Sequence, residues 1–175
     1  MSKLEANTIA PSTGTTLTVG ESGDTVNVGG TAGTGFGKVY QVVSATDETL
    51  RSTTSTSFVT ASNTLSVDIT PSATSSKIFV TTDFASGLST DDQAAIFTIY
   101  RDSTDLGDSG GEGMVRQAAY NVGYDVYFPV GMNYLDSPSS TSELTYQVYM
   151  KVNTGTSYIN YGAGKASITV FEVAG

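Results

Sequence analysis

The sequence predicts an all-β protein: a jelly-roll β-sandwich over residues 38–175, preceded by a short β-rich segment over residues 1–37. Three observations predict it. Apolar and polar residues alternate with a two-residue period over eight separate stretches. Clusters of Gly, Pro, Asp, Asn and Ser part those stretches, and no segment carries a helical period. The polar content is mostly neutral, with 27 Thr, 22 Ser and 19 Gly in 175 residues, a composition that favours strands and turns over helices.

The N-terminal segment repeats itself. Thr16-Leu17-Thr18-Val19-Gly20 recurs as Thr25-Val26-Asn27-Val28-Gly29, with the polar turn Glu21-Ser22-Gly23-Asp24 between the copies. Two strands of about four residues cannot bury an apolar face alone. Neighbouring chains can supply what one lacks, so Leu17, Val19, Val26 and Val28 are the expected lining of a slender stem. Residues Met1 to Ser12 would then be a peg that docks on a larger particle. The alternative is a disordered tail, which the low hydrophobicity and high glycine content of residues 1–37 also fit. Gly29-Gly30-Thr31-Ala32-Gly33-Thr34-Gly35-Phe36-Gly37 reads as a flexible joint to the sandwich.

The sandwich strands are expected at Val39–Ser44, Leu65–Thr70, Lys77–Phe84, Ala94–Arg101, Met114–Ala118, Asp125–Asn133, Glu143–Val152 and Ala166–Val173. The seventh shows the pattern most plainly: Leu144, Tyr146, Val148, Met150 and Val152 alternate with Thr145, Gln147, Tyr149 and Lys151. Turns fall at Thr70-Pro71-Ser72, Leu106-Gly107-Asp108, Asp136-Ser137-Pro138 and Asn153-Thr154-Gly155. In the usual jelly-roll winding the first, third, sixth and eighth strands share a sheet. Three of those, the third, sixth and eighth, have large apolar residues on their outward positions: Phe79, Tyr127, Phe171 and Val173. A single sheet face that gathers such groups implies a covering partner, and these four residues are the expected seam with it, although scattered exposed aromatics are also ordinary on a surface.

Charge and residue types exclude several functions. With 8 basic and 17 acidic residues the net charge is −9, which repels phosphate backbones and argues against nucleic acid as a partner. No apolar run is long enough to span a bilayer as a helix and no leader opens the chain, so membrane insertion is not expected. The absence of His and Cys removes histidine-dependent triads, thiol catalysis and the commonest zinc ligands. Asp91-Asp92 would point to opposite sides of an extended chain, and Asp102, Asp105, Asp108 and Glu112 have the spacing of no established calcium loop. Gly33-Thr34-Gly35-Phe36-Gly37-Lys38 lacks the following Ser or Thr and the helix of a phosphate-binding loop. The expectation is therefore a protein that is not an enzyme, with no cofactor and no metal. Tyr120, Asn121 and Tyr124, around a glycine turn, are candidate receptor contacts, because Tyr and Asn bind at low entropic cost. The same residues would equally serve to cap the sandwich or line a subunit seam.

The stretch "GMNYLDSPSSTSELTYQVYMKVNTGTSYIN", followed by "ASITVFEVAG", resembles the C-terminal jelly rolls of tailed-bacteriophage fibre and virion structural proteins. The opening "LEANTIAPSTGTTLTVGESGDTVNVGG" is similar to their N-terminal segments, and Leu135-Asp136-Ser137-Pro138 with Thr145-Tyr146 is the more specific part of the match. The resemblance implies a homotrimer with a three-sided stem and a knob similar to tumour-necrosis-factor-like jelly rolls, assembled in the host cytoplasm and exposed on the virion. It implies a short fibre that displays the knob for attachment to a host-surface glycan or protein, docked through its N-terminus on a tail or capsid protein. A capsid decoration or cement protein (a head fibre) is the alternative. The chain is small for a tail fibre and comfortable for a capsid protrusion.

Overall fold

The computed structural model describes residues 39–89, 93–107, 110–120 and 125–175. The expected anchor and stem over residues 1–37, with Leu17, Val19, Val26 and Val28, lie outside the described residues, as do Asn121 and Tyr124. Twelve strands come in order: β1 (Val39–Asp47), β2 (Arg51–Thr53), β3 (Val59–Thr60), β4 (Ser66–Ile69), β5 (Lys77–Leu88), β6 (Gln93–Arg101), β7 (Thr104–Asp105), β8 (Val115–Ala119), β9 (Val126–Asp136), β10 (Leu144–Val152), β11 (Ser157–Ile159) and β12 (Ala166–Val173). Among the described residues there is no helix.

All eight expected strands are present, as β1, β4, β5, β6, β8, β9, β10 and β12. They pair antiparallel into two sheets, β1-β12-β5-β9 and β4-β10-β6-β8. In chain order of the long strands these are 1-8-3-6 and 2-7-4-5, the two interleaved Greek keys of a jelly roll. The four unforeseen strands, β2, β3, β7 and β11, have two or three residues each, too few to show a period in sequence. β2 and β11 pair with each other, and β11 also pairs with the far end of β5, so the first sheet continues beyond β1 and β12.

That continuation needs a step in the backbone, and Asn160 makes it. Its φ of 56° lies in the left-handed region that Asn tolerates. Its N–H donates to Ala85 O (2.7 Å), and Nδ2 donates to the carbonyls of Asp47 (2.9 Å) and Thr49 (3.0 Å). The broken edge is thereby closed from inside.

The alternation read in sequence sorts the strands' two faces. Ile78, Val80, Phe84 and Leu88 of β5, Val130 and Met132 of β9, and Ile168 and Val170 of β12 are buried against Phe97, Ile99, Tyr146, Val148 and Met150 of the second sheet. Phe84 and Phe97 meet edge to face across the sandwich, their centroids 4.9 Å apart. With no disulfide available, this interlocked apolar layer supplies the cohesion of the sandwich.

Candidate functional site

The outward faces of the two sheets differ. On the second sheet, the outward residues of β6 are covered by the chain itself: Ala94, Ile96 and Thr98 are buried. Phe58 lies over the Ile96 end of this row, edge to face with Tyr100 at 6.2 Å, with Lys151 Nζ 4.6 Å above its ring, and Gly107 packs against Thr98. Gly113 passes underneath at a φ of 65°, where a Cβ would stand 2.6 Å from Phe97 O. Tyr100 stacks in turn on Tyr149 at 4.0 Å.

The first sheet has an open apolar row at the end of the sandwich where Asp136 meets Arg101 and Tyr146. Strand register places Val42 opposite Phe171, Phe171 opposite Phe79, and Phe79 opposite Leu135. One cross-strand row thus runs over all four long strands, and every member is apolar. Val42 (53 %), Phe79 (37 %) and Leu135 (50 %) are exposed, and Phe171 is half-buried. The Phe79 and Phe171 rings are 6.1 Å apart. Tyr40 lies exposed at the same end of the sheet, next to the half-buried Val173. The next row, Ser44–Thr169–Thr81–Asn133, is polar and ends the stripe.

Of the four expected seam residues, the structure brings Phe79, Phe171 and Val173 together and places Tyr127 apart. Tyr127 pairs with Gly87, eight residues along β5 from Phe79, which is about 27 Å at strand rise. Val42 and Leu135 complete the stripe; their outward direction was readable from alternation, but their alignment with Phe171 and Phe79 depends on register between distant strands.

Tyr127 belongs to a second cluster. Gly87 has Tyr158 on one side in the sheet and Tyr127 on the other. The missing side chain at Gly87 leaves the slot that the Tyr161 ring fills; a Cβ there would stand 2.2 Å from Tyr161 Cδ1. Tyr161 is consequently sandwiched, stacked on Tyr127 at 4.9 Å and on Tyr158 at 4.6 Å. Its hydroxyl donates to Asp125 Oδ2 (2.6 Å), and that bond pushes the phenol up to about 12. Beside Tyr127 lies a shallow depression of about 600 Å3, bordered by Asp83, Ala85, Pro129, Gly131 and Lys165. Tyr120 is exposed at 55 %, the one described residue of its expected trio.

The buried charges are pins. Asp136 accepts two bonds from Arg101 Nη1 (2.8 and 2.7 Å), one from the Tyr146 hydroxyl (2.7 Å) and one from Ser137 N (2.9 Å). Burial and the bond to Asp136 push the Tyr146 phenol far above its ordinary range. Glu172, fully buried, accepts from Ser72 N (2.7 Å), Ser72 Oγ (2.5 Å), Ser76 Oγ (2.6 Å) and Gln41 Nε2 (2.7 Å). Burial alone would raise this carboxyl, but the donors outweigh it and hold it down at about 2. Asp47 is held well below the usual carboxylate range in the same way: burial opposes the shift, and bonds from Ser62, Thr49 N and Arg51 prevail.

The acidic residues weighed for calcium are separately engaged. Asp105 accepts from Thr98 Oγ1 (2.6 Å) and Gly107 N (2.9 Å), Asp102 accepts from Thr145 N (2.9 Å), and Glu112 faces Arg116 at 3.6 Å. Among the described residues, no three acidic groups converge on one point. Asp91, Asp92, Asp108 and the glycine-rich stretch before Val39 lie outside the described residues.

No protein-family model matches the chain, and no curated protein matches its sequence. Among solved structures, one similar chain is a mutant VP2 protein of infectious bursal disease virus from derived T=1 particles, at 13 % identity and a TM-score of 0.37 over 77 % of this chain and 40 % of that one. A structure of the Gx strain of the same virus gives 13 % identity and a TM-score of 0.36 over 78 % and 36 %. The chain spans less than half the length of these viral chains. A likeness this loose adds nothing to the topology read directly from strand pairing.

Proposed function

We propose that the chain is a virion structural protein: a short homotrimeric bacteriophage fibre whose jelly-roll knob serves attachment to the host surface. The observation that carries the assembly is the stripe Val42–Phe171–Phe79–Leu135, left open on the first sheet, whereas the outward residues of β6 in the second sheet are covered by the chain itself. An exposed apolar row across a whole sheet is disfavoured on a solitary chain and favoured as a subunit seam. Phe79, Phe171 and Val173 are the seam residues, joined by Val42 and Leu135. The resemblance to phage virion proteins supplies the setting. Its more specific residues, Asp136 and Tyr146, serve the fold, since they bond to each other across the sandwich. In this reading the knob performs no catalysis, carries no cofactor and docks on the particle through residues 1–37.

Light scattering on the purified chain over a dilution series tests the assembly: a species of three chains is expected, and a monomer removes the seam. Gold labelling of virions tests the placement. A few trimers at the tail support the fibre, whereas many copies over the shell replace it with capsid decoration. A chain shortened to begin at Lys38 keeps the knob and loses incorporation; undiminished incorporation removes the anchor.

A further inference from the structure

We propose that the tyrosine end of the first sheet is a binding site for neutral glycans. The inference deepens the attachment reading and rests on it for biological purpose, while the site itself stands on its own chemistry. A pyranose ring has a flat C–H face and a hydroxyl edge. The first needs an aromatic or apolar wall; the second needs donors and acceptors side by side.

Both are present at the depression beside Tyr127. Tyr127, 57 % exposed, and Pro129 stand on the outward side of β9 as its wall. Gly131 and Ala85 leave the floor low: a Cβ at Gly131 would come 3.3 Å from Asp83 Oδ1, and one at Gly164 would come 3.0 Å from the Ala85 methyl. Asp83 offers acceptors, and Lys165, 59 % exposed with Nζ 2.9 Å from Glu48, keeps ammonium donors facing solvent. The volume of about 600 Å3 suits one or two sugar rings, within the usual range of small-ligand sites.

The wall is also pre-set, which lowers the cost of binding. Tyr161 holds one face of Tyr127, the Gly87 slot holds Tyr161, and Asp125 anchors its hydroxyl. The loop that delivers Tyr161 and Lys165 contains three left-handed residues, Asn160, Gly162 and Ala163, the last at a φ of 64°. A left-handed alanine is a strained choice in the connection between β11 and β12, the kind of conformation that accumulates at ligand sites. A net charge of −9 disfavours polyanionic glycans, so the ligand class is neutral. In a trimer, three weak sites act together.

The test uses the purified full-length chain with maltotriose, mannotriose and chitotriose as probes and polysialic acid as the anionic arm, read by backbone amide NMR shifts. The chain has no tryptophan, so tyrosine emission from its ten tyrosines gives a second readout, assigned to the stack by its loss in Tyr127→Ala. Expected are shifts at Tyr127, Gly131, Asp83 and Lys165 with at least one neutral probe, weakened about tenfold or more by Tyr127→Ala. Gly131→Val, which fills the floor on a strand position that suits valine, weakens binding equally while the melting temperature holds. Arg116→Ala, on the second sheet and outside the depression, leaves binding intact. The site is overturned by absence of shifts with every neutral probe, by shifts with polysialic acid alone, or by loss through Arg116→Ala with none through Tyr127→Ala. Binding by a chain that is monomeric, or that labels no virion, would retain the site and remove the fibre.

Discussion

Tyr146 donates its hydroxyl to Asp136 across 2.7 Å, and this bond joins the two sheets of the sandwich, because Tyr146 belongs to β10 and Asp136 ends β9. Arg101 reaches the same carboxylate from β6. The end of the sandwich is thus closed by one charge with four donated bonds, where apolar packing alone would leave Asp136 desolvated and unpaired.

Tyr146→Phe removes one bond to a buried charged group and keeps the ring, at an expected cost of about 1.5–3 kcal/mol in urea unfolding. Arg101→Met is the harsher change, at about 3 kcal/mol or more, since it strands the carboxylate without its counter-charge. Equal losses for the two variants would show that the ion pair contributes nothing beyond a hydrogen bond.

Glu172 makes stability depend on acid. Its carboxyl sits at about 2 in the fold against an ordinary 4.5, so the unfolded chain takes up the proton first as pH falls. The contribution is complete above pH 4.5 and drains away between there and about 2, amounting at most to roughly 3 kcal/mol. Glu172→Gln should flatten this part of the pH profile of unfolding and lower stability at neutral pH. Asp47, shifted in the same direction, leaves a residual slope in the variant.

Phe171→Asp places a charge at the middle of the apolar stripe, on the outward side of β12. The expected result is a folded or partly folded monomer by light scattering, with the strand signature retained in circular dichroism. A stable trimer after this change would put the seam elsewhere.

Gly87→Ala tests the tyrosine stack. The new methyl collides with the Tyr161 ring, whose nearest atoms stand at 2.2 and 2.6 Å, so the ring must leave its slot. A loss of about 1–3 kcal/mol is expected, together with a changed near-ultraviolet tyrosine signal. An unaltered signal would mean that Tyr161 does not occupy the slot in solution.

Much of this architecture is legible from local pattern. The positions of the eight long strands, the inward sets of β5, β9, β10 and β12, and the sharing of one sheet by β1, β5, β9 and β12 come from a two-residue period and the usual winding. The fate of outward apolar residues does not. Ile96 of β6 and Phe79 of β5 are the same kind of signal in sequence, a large apolar group opposite to the core face. Ile96 is 4 % exposed because Phe58 and the segment at Gly113 fold over it, whereas Phe79 is 37 % exposed. The tyrosine cluster is equally hidden: Tyr158 and Tyr161 look ordinary along the chain, and Tyr127 reads as a seam residue, until register sets Tyr127 and Tyr158 beside Gly87.

Alternation, turn residues and the lack of Cys determined by themselves an all-β sandwich held without disulfides. These properties depend on neighbours along the chain, where the pleat converts sequence parity directly into side. Tertiary structure alone decided which outward residues align into a stripe, which are covered by loops, and where a glycine admits a ring. Those outcomes depend on register between strands as far apart as β1 and β12, which a two-residue period leaves open: a shift of two residues preserves every face and dissolves every row.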